Sequence, residues 1–266
     1  MVAEGPAQKL AGVVCVTLLV VAVAYALAAP MLSAYPSFEL PWPKWRGLWR
    51  GRLEATYERS LAELGASRLD VDVEVKAGSL EVQGSFNETQ AYRVEVYSPA
   101  SWLGPTSAVY DVEEGVVDGV AKLKVTLSGG LVKVYVNPSR LVSLSLRLAA
   151  GSAKLSLKGL NDTSMLLDVA ASSLDADVAY ASASKAELRL KAAVSGVDLN
   201  VEVPSEVKVY ASAEASAGSV TVEVEGLGSI TLSGAGSKSI SDPGFTEGLK
   251  LSVEASASSV DARVER

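Results

Sequence analysis

The stretch Ser205–Gly226, SEVKVYASAEASAGSVTVEVEG, decides the fold class. Apolar and polar side chains alternate on both sides of a central corner that is built from Ala, Ser and Gly. Successive side chains of a strand point to opposite faces of a sheet, so alternation at period two predicts strands with one buried face. The stretch therefore predicts a strand, a tight corner and a second strand.

The same corner chemistry recurs along the chain at a regular interval. Ser173 follows Ser152 by 21 residues, Ser195 follows by another 22, Ser219 by another 24, and Ser259 comes 40 residues later, about two more periods. Self-similarity at this interval predicts an all-β fold, a single-stranded β-solenoid (β-helix) of about 20–24 residues per coil. We assign residues 69–266 to this domain, less regular over 69–140 and regular over 141–266.

The segment Val201–Gly226 resembles the repeat of the putative-adhesin, or toast-rack, family of β-solenoid domains of unknown function. In that family a strand ending in a Pro-polar pair leads to a strand, a small-residue corner of the Ala/Ser-Gly-Ser type and another strand. Pro204-Ser205 and Gly218-Ser219 stand in the matching places. The resemblance extends over residues 69–266 and is best after Arg140. It implies a right-handed β-solenoid, often attached to a membrane, and brings no catalytic residues with it.

A run of 21 residues without charge, Leu10–Pro30, follows a short tail of residues 1–9. About 20 helical residues span the hydrocarbon core of a bilayer, so the run predicts a transmembrane helix. A cleaved signal peptide is the alternative, with Lys9 before the apolar run and Ala26 and Ala28 before the cut. The run is longer than a usual signal-peptide core, which favours an uncleaved anchor.

A Pro- and Trp-rich neck, residues 31–68, links this run to the solenoid. Its segment 44–65 predicts a short amphipathic helix that ends at Gly65 and whose apolar stripe docks on the first coil. Indole rings favour the lipid headgroup zone, and basic side chains favour anionic lipid. The neck therefore predicts a membrane-interface site at Trp42, Lys44, Trp45, Arg46, Trp49, Arg50 and Arg52.

The composition argues against most enzyme chemistries. The chain has no histidine, and Cys15 is its only cysteine. This removes histidine acid-base catalysis, histidine or thiolate metal sites and intrachain disulfides. The pairs Asp70/Asp72 and Asp175/Asp177 each share a strand face, but acids at period two are ordinary on an exposed face. We predict no enzyme activity, no catalytic residues, no cofactor and no metal.

The charge is unevenly divided between the neck and the solenoid. Residues 1–68 carry seven Lys/Arg and five Asp/Glu, whereas residues 69–266 carry 17 and 26, which together give the net charge of −7. An acidic body argues against nucleic acid as a partner and offers a long acidic face to other partners. The chain has only seven Asn and Gln residues, which is typical of thermophilic proteins.

Two further features predict contacts or modification. Trp102 and Tyr110 lie in an irregular stretch of an otherwise ring-poor domain and predict a partner contact, or alternatively a plug between irregular and regular coils. The tripeptides beginning at Asn87 and Asn161 are glycosylation sequons at predicted turns.

These patterns together favour a non-enzymatic, single-pass membrane protein with an extracellular solenoid that acts as an adhesin-like or envelope structural module. Its partners would be the lipid bilayer and either cell-envelope components or further copies of itself. Two alternatives stay open: a self-assembling surface filament subunit, and a cytoplasm-facing regulatory scaffold, which the basic residues after the span favour.

Overall fold

The computed structural model describes residues 51–85, 87, 89–99 and 107–266. Apart from a four-residue helix, α1 (Leu61–Leu64), and a 3₁₀ turn at Pro138–Arg140, the elements in these residues are strands, which confirms the all-β class. The strands are β1 (Leu53–Ser60), β2 (Arg68–Val75), β3 (Gly78–Gly84), β4 (Gln90–Tyr97), β5 (Val109–Val117), β6 (Val120–Gly129), β7 (Leu131–Val136), β8 (Leu141–Leu148), β9 (Gly151–Asn161), β10 (Ser164–Ala170), β11 (Ser172–Ser182), β12 (Glu187–Ala193), β13 (Gly196–Glu202), β14 (Val209–Val224), β15 (Gly228–Ser233), β16 (Gly236–Ser241) and β17 (Leu249–Glu265).

Two ladders of parallel strands make up most of the fold. The A ladder runs through β6, β2, β8, β10, β12 and the first halves of β17 and β14. The B ladder runs through β7, β3, β9, β11, β13 and the second halves of β17 and β14. Strands that follow one another in the chain, such as β8 and β9, stand at the same level of the two ladders. We call each such level a rung.

The hydrophobic core consists of the inward side chains of both ladders, which form one buried cluster of mainly Val, Leu and Ala. Val71, Leu144, Met165 and Leu188 share one register position on successive A strands, and each is at most 1% exposed. Burying each such side chain contributes about 1.5–3 kcal/mol to stability. The inward rows are therefore the main source of stability for the stack.

Small residues fill the corner between the ladders, as the sequence predicts. Gly151 has φ 131°, and a Cβ on it would lie 1.8 Å from the carbonyl oxygen of Gly78 in the neighbouring rung. In later rungs this position is held by the buried residues Ser172, Ser195 and Ser258, whose hydroxyls donate to backbone carbonyls. A larger side chain would push adjacent rungs apart, so the corner requires Gly or Ser.

The stacking order of the rungs departs from chain order at both ends. β2 and β3 lie between β6/β7 and β8/β9, and β17 lies between β12/β13 and β14. Ser259 pairs with both Gly196 and Ser219, so the 40-residue interval from Ser219 to Ser259 separates neighbouring rungs. The prediction that this interval spans two further periods is wrong. The cause is a long hairpin, β14 with β15 and β16, which folds back and leaves a gap for β17.

Antiparallel strands close both ends of the stack. β5 pairs with β6, β4 with β7 and β1 with β4 at one end, while β15 and β16 pair with β14 at the other. Between β1 and β5 the rings of Tyr57 and Tyr110 meet edge to face at 6.4 Å. Glu114 accepts a hydrogen bond from the hydroxyl of Tyr92 and pairs with Arg59 at 2.9 Å. These contacts cover the core end that would otherwise face water.

The predicted amphipathic helix is wrong over Leu53–Ser60, which forms β1. Its side chains alternate, with Ala55 and Tyr57 half-buried between exposed neighbours, and seven of its residues are in register with β4. The stretch fits either a helical stripe or period two, and as a strand it pairs with β4 from Leu53 to Ser60. Tertiary pairing therefore overrides the helical pattern.

The end of the predicted helix is confirmed. α1 begins at a capping box formed by Ser60 and Glu63 and ends at Gly65, which has a left-handed φ of 60°. Leu61 and Leu64 pack against the core, as predicted for the apolar stripe. The core is therefore covered here by Tyr57 on β1 and by Leu61 and Leu64 on α1.

Within the described part of the chain, no helix has the length and apolarity to cross a bilayer. The run Leu10–Pro30 and the neck as far as Arg50 lie outside the described residues. The transmembrane helix stays a prediction.

Candidate binding face

One outward row of the A ladder alternates in charge over most of its rungs. This register position carries in turn Glu74, Arg147, Asp168, Lys191 and Glu254, and the alternation ends at the last rung, where Glu214 lies beside Glu254. Within this row the Nζ of Lys191 lies 3.4 Å from the Glu254 carboxylate. Opposite charges on adjacent strands stabilise a sheet, so this face is largely neutralised by its own neighbours.

Another position on the A ladder is also compensated. Glu187 receives Arg189 at 2.9 Å and Lys250 at 3.4 Å. Burial alone would raise the pKa of the Glu187 carboxyl, but these two cations outweigh it and hold the pKa below its usual range. The charged form of Glu187 is therefore favoured in the folded protein.

The B ladder begins with the same alternation and then loses it. At its central outward position Lys133 pairs with Glu81 at 2.8 Å, and Lys154 pairs with Asp175 at 4.0 Å. The next two rungs place Asp198 and Asp261 at this position, so three aspartates follow one another on adjacent strands. Within the described residues, Asp198 and Asp261 have no ion-pair partner.

Further polar groups gather beside this row of aspartates. The next outward position is occupied by Asp177, Asn200 and Arg263. The Nε of Arg263 lies 3.5 Å from the Glu223 carboxylate. Together with Asp175, Asp198, Asp261 and Glu265, the residues at this position line a shallow depression of about 290 Å³. We call the surface formed by Asp175, Asp177, Asp198, Asn200, Asp261 and Glu265 the acidic B face.

One atom of the acidic B face lacks a partner. The side-chain oxygen of Asn200 is buried, and no described residue donates a hydrogen bond to it. Leaving a buried acceptor unsatisfied costs about 1–3 kcal/mol. The A ladder has two such atoms as well, the Oδ1 of Asp72 and the Oγ of Ser145, so this feature does not distinguish the two ladders.

The two aspartate pairs singled out in the sequence have different surroundings. Asp72 lies 3.7 Å from Arg147, and Asp70 accepts a hydrogen bond from the hydroxyl of Ser143. Asp175 and Asp177 instead stand beside the row that continues into Asp198. Asp70 and Asp72 thus have partners on the neighbouring rung, whereas Asp175 and Asp177 form part of a larger acidic surface.

The carboxylates of the acidic B face are spread along the sheet rather than gathered around one point. Among the residues that the structure describes, no group of three or more carboxylate, thiol or imidazole side chains is placed to hold a metal ion. The aspartates instead form an open row along the sheet. Such a row suits a partner with several positive charges better than a single ion.

Of the other predicted sites, Arg52 and Tyr110 are among the described residues and lie away from the acidic B face. Arg52 is exposed, and its backbone N–H donates to the hydroxyl of Ser98. Tyr110 is half-buried against Tyr57 at the end of the core. Of the remaining sites, those outside the described residues are Trp42, Lys44, Trp45, Arg46, Trp49, Arg50 and Trp102.

The two glycosylation sequons differ in accessibility. Asn87 and Thr89 are both exposed, and the hydroxyl of Thr89 donates to the Asn87 side-chain oxygen at 2.8 Å. In the second sequon Asn161 is exposed, but Thr163 is fully buried and donates to the Leu141 carbonyl at 2.8 Å. Recognition of that threonine would require local opening of the fold. Modification of either asparagine stays a prediction.

Sequence reasoning foresaw an acidic face but missed which rungs form it. The row depends on Asp261 standing next to Asp198, although 63 residues separate them in the chain. If the rungs were stacked in the order of the chain, Thr221 would lie next to Asp198 instead of Asp261. β17 is inserted between β13 and β14, and a single sequence contains no signal for this insertion.

Comparison with known proteins supports the fold. No protein-family model matches the sequence, and no curated protein matches it. The crystal structure of a putative cell adhesion protein from Clostridium sporogenes is similar with a TM-score of 0.52 at 11% identity, covering 80% of this chain and all of that one. A putative adhesin from Bacteroides fragilis aligns with a TM-score of 0.33 at 11% identity, over 80% of this chain and 97% of that one. The first likeness confirms, at the level of the fold, the resemblance found in the corner motif.

Proposed function

We propose that this protein is a membrane-anchored, non-enzymatic β-solenoid that serves at the cell surface as an adhesin-like module. The acidic B face is its contact surface, and the partner presents several amines or guanidinium groups. Envelope polymers and proteins with exposed basic groups have this chemistry.

The row of Asp175, Asp198 and Asp261, of which only Asp175 has an ion-pair partner among the described residues, carries the proposal. Adjacent strands lie about 4.8 Å apart, and like charges directly opposite one another destabilise a sheet. The other ladder, built on the same core, shows that alternation is available to this fold. A costly row of like charges is explained when a cationic partner neutralises it.

The carboxylates that line the depression support the same chemistry. Asp175, Asp177, Asp198, Asp261 and Glu265 line it together with Arg263. A partner amine provides both the positive charge that these carboxylates require and the N–H groups that their oxygens accept. The site therefore favours a donor-bearing cation over an anionic or apolar ligand.

Rigid presentation is the proposed mechanism. The acidic B face consists of side chains on strands, which the parallel ladder and the buried rows hold in fixed register. A preformed row loses little conformational entropy when a partner binds. A membrane anchor would hold many copies at one surface, so that weak individual contacts add up.

A triple variant tests the contact surface. The purified full-length protein in detergent is applied to beads that carry a polylysine peptide. We expect Asp175→Asn, Asp198→Asn and Asp261→Asn together to weaken retention about tenfold or more. The matched control removes three charges from the A ladder through Glu74→Gln, Asp168→Asn and Glu254→Gln, so both variants have the same net charge.

Retention of the control at the level of the natural protein, with loss in the triple variant, supports the acidic B face. Equal losses in both variants would show attraction by net charge alone and would overturn the proposed contact surface.

The location of the domain is tested separately by protease treatment of intact cells. An external domain is cut, and a protected domain contradicts surface display.

A further inference from the structure

Among the described residues no strand pairs with the outer edge of β15, so the end of the stack presents an open strand edge there. β15 pairs antiparallel with the second half of β14, and Gly234 donates its N–H to the Gly218 carbonyl at 3.0 Å. Hydrogen bonding alternates along an antiparallel pair, so every second residue directs its backbone groups towards the partner strand. The N–H and C=O groups of Ser229, Thr231 and Ser233 therefore point away from β14.

β15 lacks the protection that the other terminal strands carry. β16 has Lys238 opposite Ala213, at a core-facing position but exposed, which is a common guard against edge pairing. β1 and β5 each carry three charged residues. β15, with the sequence GSITLS, has no charge, no proline and no bulge. Its backbone edge is therefore open to another strand.

The sequence of β15 is nearly the same in both directions. Ser229-Ile230-Thr231-Leu232-Ser233 is symmetric about its threonine, apart from the exchange of isoleucine for leucine. Ile230 and Leu232 face the core and are buried, while the two serines and the threonine are exposed. A strand of this kind is self-complementary when it meets its own copy antiparallel, because each face then meets a like face.

We propose that β15 pairs antiparallel with β15 of a second copy of this chain, with Thr231 on the two-fold axis. The outward backbone groups of Ser229, Thr231 and Ser233 then bond to those of Ser233, Thr231 and Ser229 of the second copy. Ile230 lies opposite Leu232 of the second copy and extends the inward apolar row.

The symmetry of this contact closes the assembly as a dimer. A filament needs the opposite end of the stack to accept β15, but Glu54, Glu58, Arg59 on β1 and Asp111, Glu113 and Glu114 on β5 place charges there. A two-fold contact uses the same surface on both copies and leaves none for a third. The net charge of −7 does not oppose it locally, because Glu223 beside Ser229 is paired with Arg263.

Disulfide trapping tests the contact directly. Thr231→Cys is made in the full-length protein with Cys15→Ser, solubilised in detergent, and treated with a mild oxidant. Paired residues of antiparallel strands have Cα atoms about 4.5–5.5 Å apart, within the span of a disulfide. We expect a covalent dimer that forms about tenfold faster than with Ser237→Cys, the control on the neighbouring guarded strand. Equal rates for the two variants would indicate random collision and would overturn the proposal.

Sedimentation of the full-length protein without added cysteines gives the second measurement. We expect a concentration-dependent dimer that Thr231→Lys shifts to monomer, since two ammonium groups would meet at the axis, whereas Ser237→Lys leaves it intact. Both side chains are exposed, so circular dichroism should report a folded protein for each variant. A protein that stays monomeric at all concentrations, or one that forms species larger than a dimer, contradicts the proposal.

Discussion

The A and B ladders both have inward rows of apolar side chains and share one small-residue corner, but the charges on their outward faces are arranged differently. On the A ladder Glu74, Arg147, Asp168 and Lys191 alternate in sign along one row. On the far half of the B ladder Asp175, Asp198 and Asp261 repeat the same sign. Because the core is common to both, the fold does not dictate this difference.

The contrast separates what the sequence needs for folding from what it needs for contact. Alternating charges keep a solvent-facing sheet soluble and add a little stability. A row of like charges adds solubility but lowers stability. Sites that work against stability in this way are characteristic of binding surfaces, since activity and stability compete there.

The largest expected effect comes from breaking the corner that holds both ladders in register. Gly151→Ala would place a Cβ 1.8 Å from the Gly78 carbonyl oxygen at a left-handed φ of 131°. We expect the free energy of unfolding to fall by about 3 kcal/mol or more, measured by chemical denaturation.

Gly196→Ala is the matched control for this substitution. Gly196 begins β13 on the same ladder, and a Cβ there has no atom within 4 Å among the described residues. We expect a change within about 0.5 kcal/mol. Equal losses for both variants would contradict the argument that the corner is sterically closed.

A second variant gives the A ladder the pattern of the B ladder. Arg147→Glu places a carboxylate between Glu74 and Asp168, so that three like charges follow one another. We expect a loss of about 1 kcal/mol in dilute salt, about half of it recovered in 1 M salt because the charges are exposed and screened. Arg147→Gln should lose about half as much. A loss that is independent of salt would assign the effect to packing of the Arg147 stem.

The elements that the sequence predicts well are those whose signal is local. Alternation as in Val220, Val222 and Val224 predicts a strand, and each of these side chains is buried. The small corner at Gly218-Ser219 likewise follows from local composition, because stacked corners leave no room for larger side chains. Such features depend on a few neighbouring residues, and a single sequence contains them in full.

The elements that the sequence predicts poorly depend on partners distant in the chain. β1 has a helical stripe and a period-two pattern at once, and only β4, some 40 residues later, decides between them. The neighbour of Asp198 is Asp261 rather than Thr221 because a hairpin folds back over the gap. The acidic B face is therefore visible in the sequence as a composition but not as a site.

A third variant gives the B ladder the pattern of the A ladder. Asp198→Lys places an ammonium group between Asp175 and Asp261, and we expect the free energy of unfolding to rise by about 0.5–1 kcal/mol. Retention on polylysine beads should fall in the same variant. The same exchange at Asp168, which stands between Arg147 and Lys191, should lower stability instead. If both substitutions shift stability in the same direction, the outward charges do not control it.

The smallest effect is a difference in pH dependence, carried by Glu187 on the A ladder. Arg189 and Lys250 hold the pKa of its carboxyl below the usual range against the opposing effect of burial, so the folded protein releases this proton at lower pH than the unfolded chain. The stabilisation is complete above the ordinary pKa of a glutamate, about 4.3, and is lost as the pH falls through the lower pKa of the folded protein.

Glu187→Gln should therefore flatten the decline of stability in acid, measured by denaturation at a series of pH values. Lys250→Gln should flatten it less, because Arg189 remains at 2.9 Å. An acid decline as steep in Glu187→Gln as in the natural protein would contradict the assignment, and would mean that other carboxylates with lowered pKa values, Glu114 and Asp242 among them, govern the acid response.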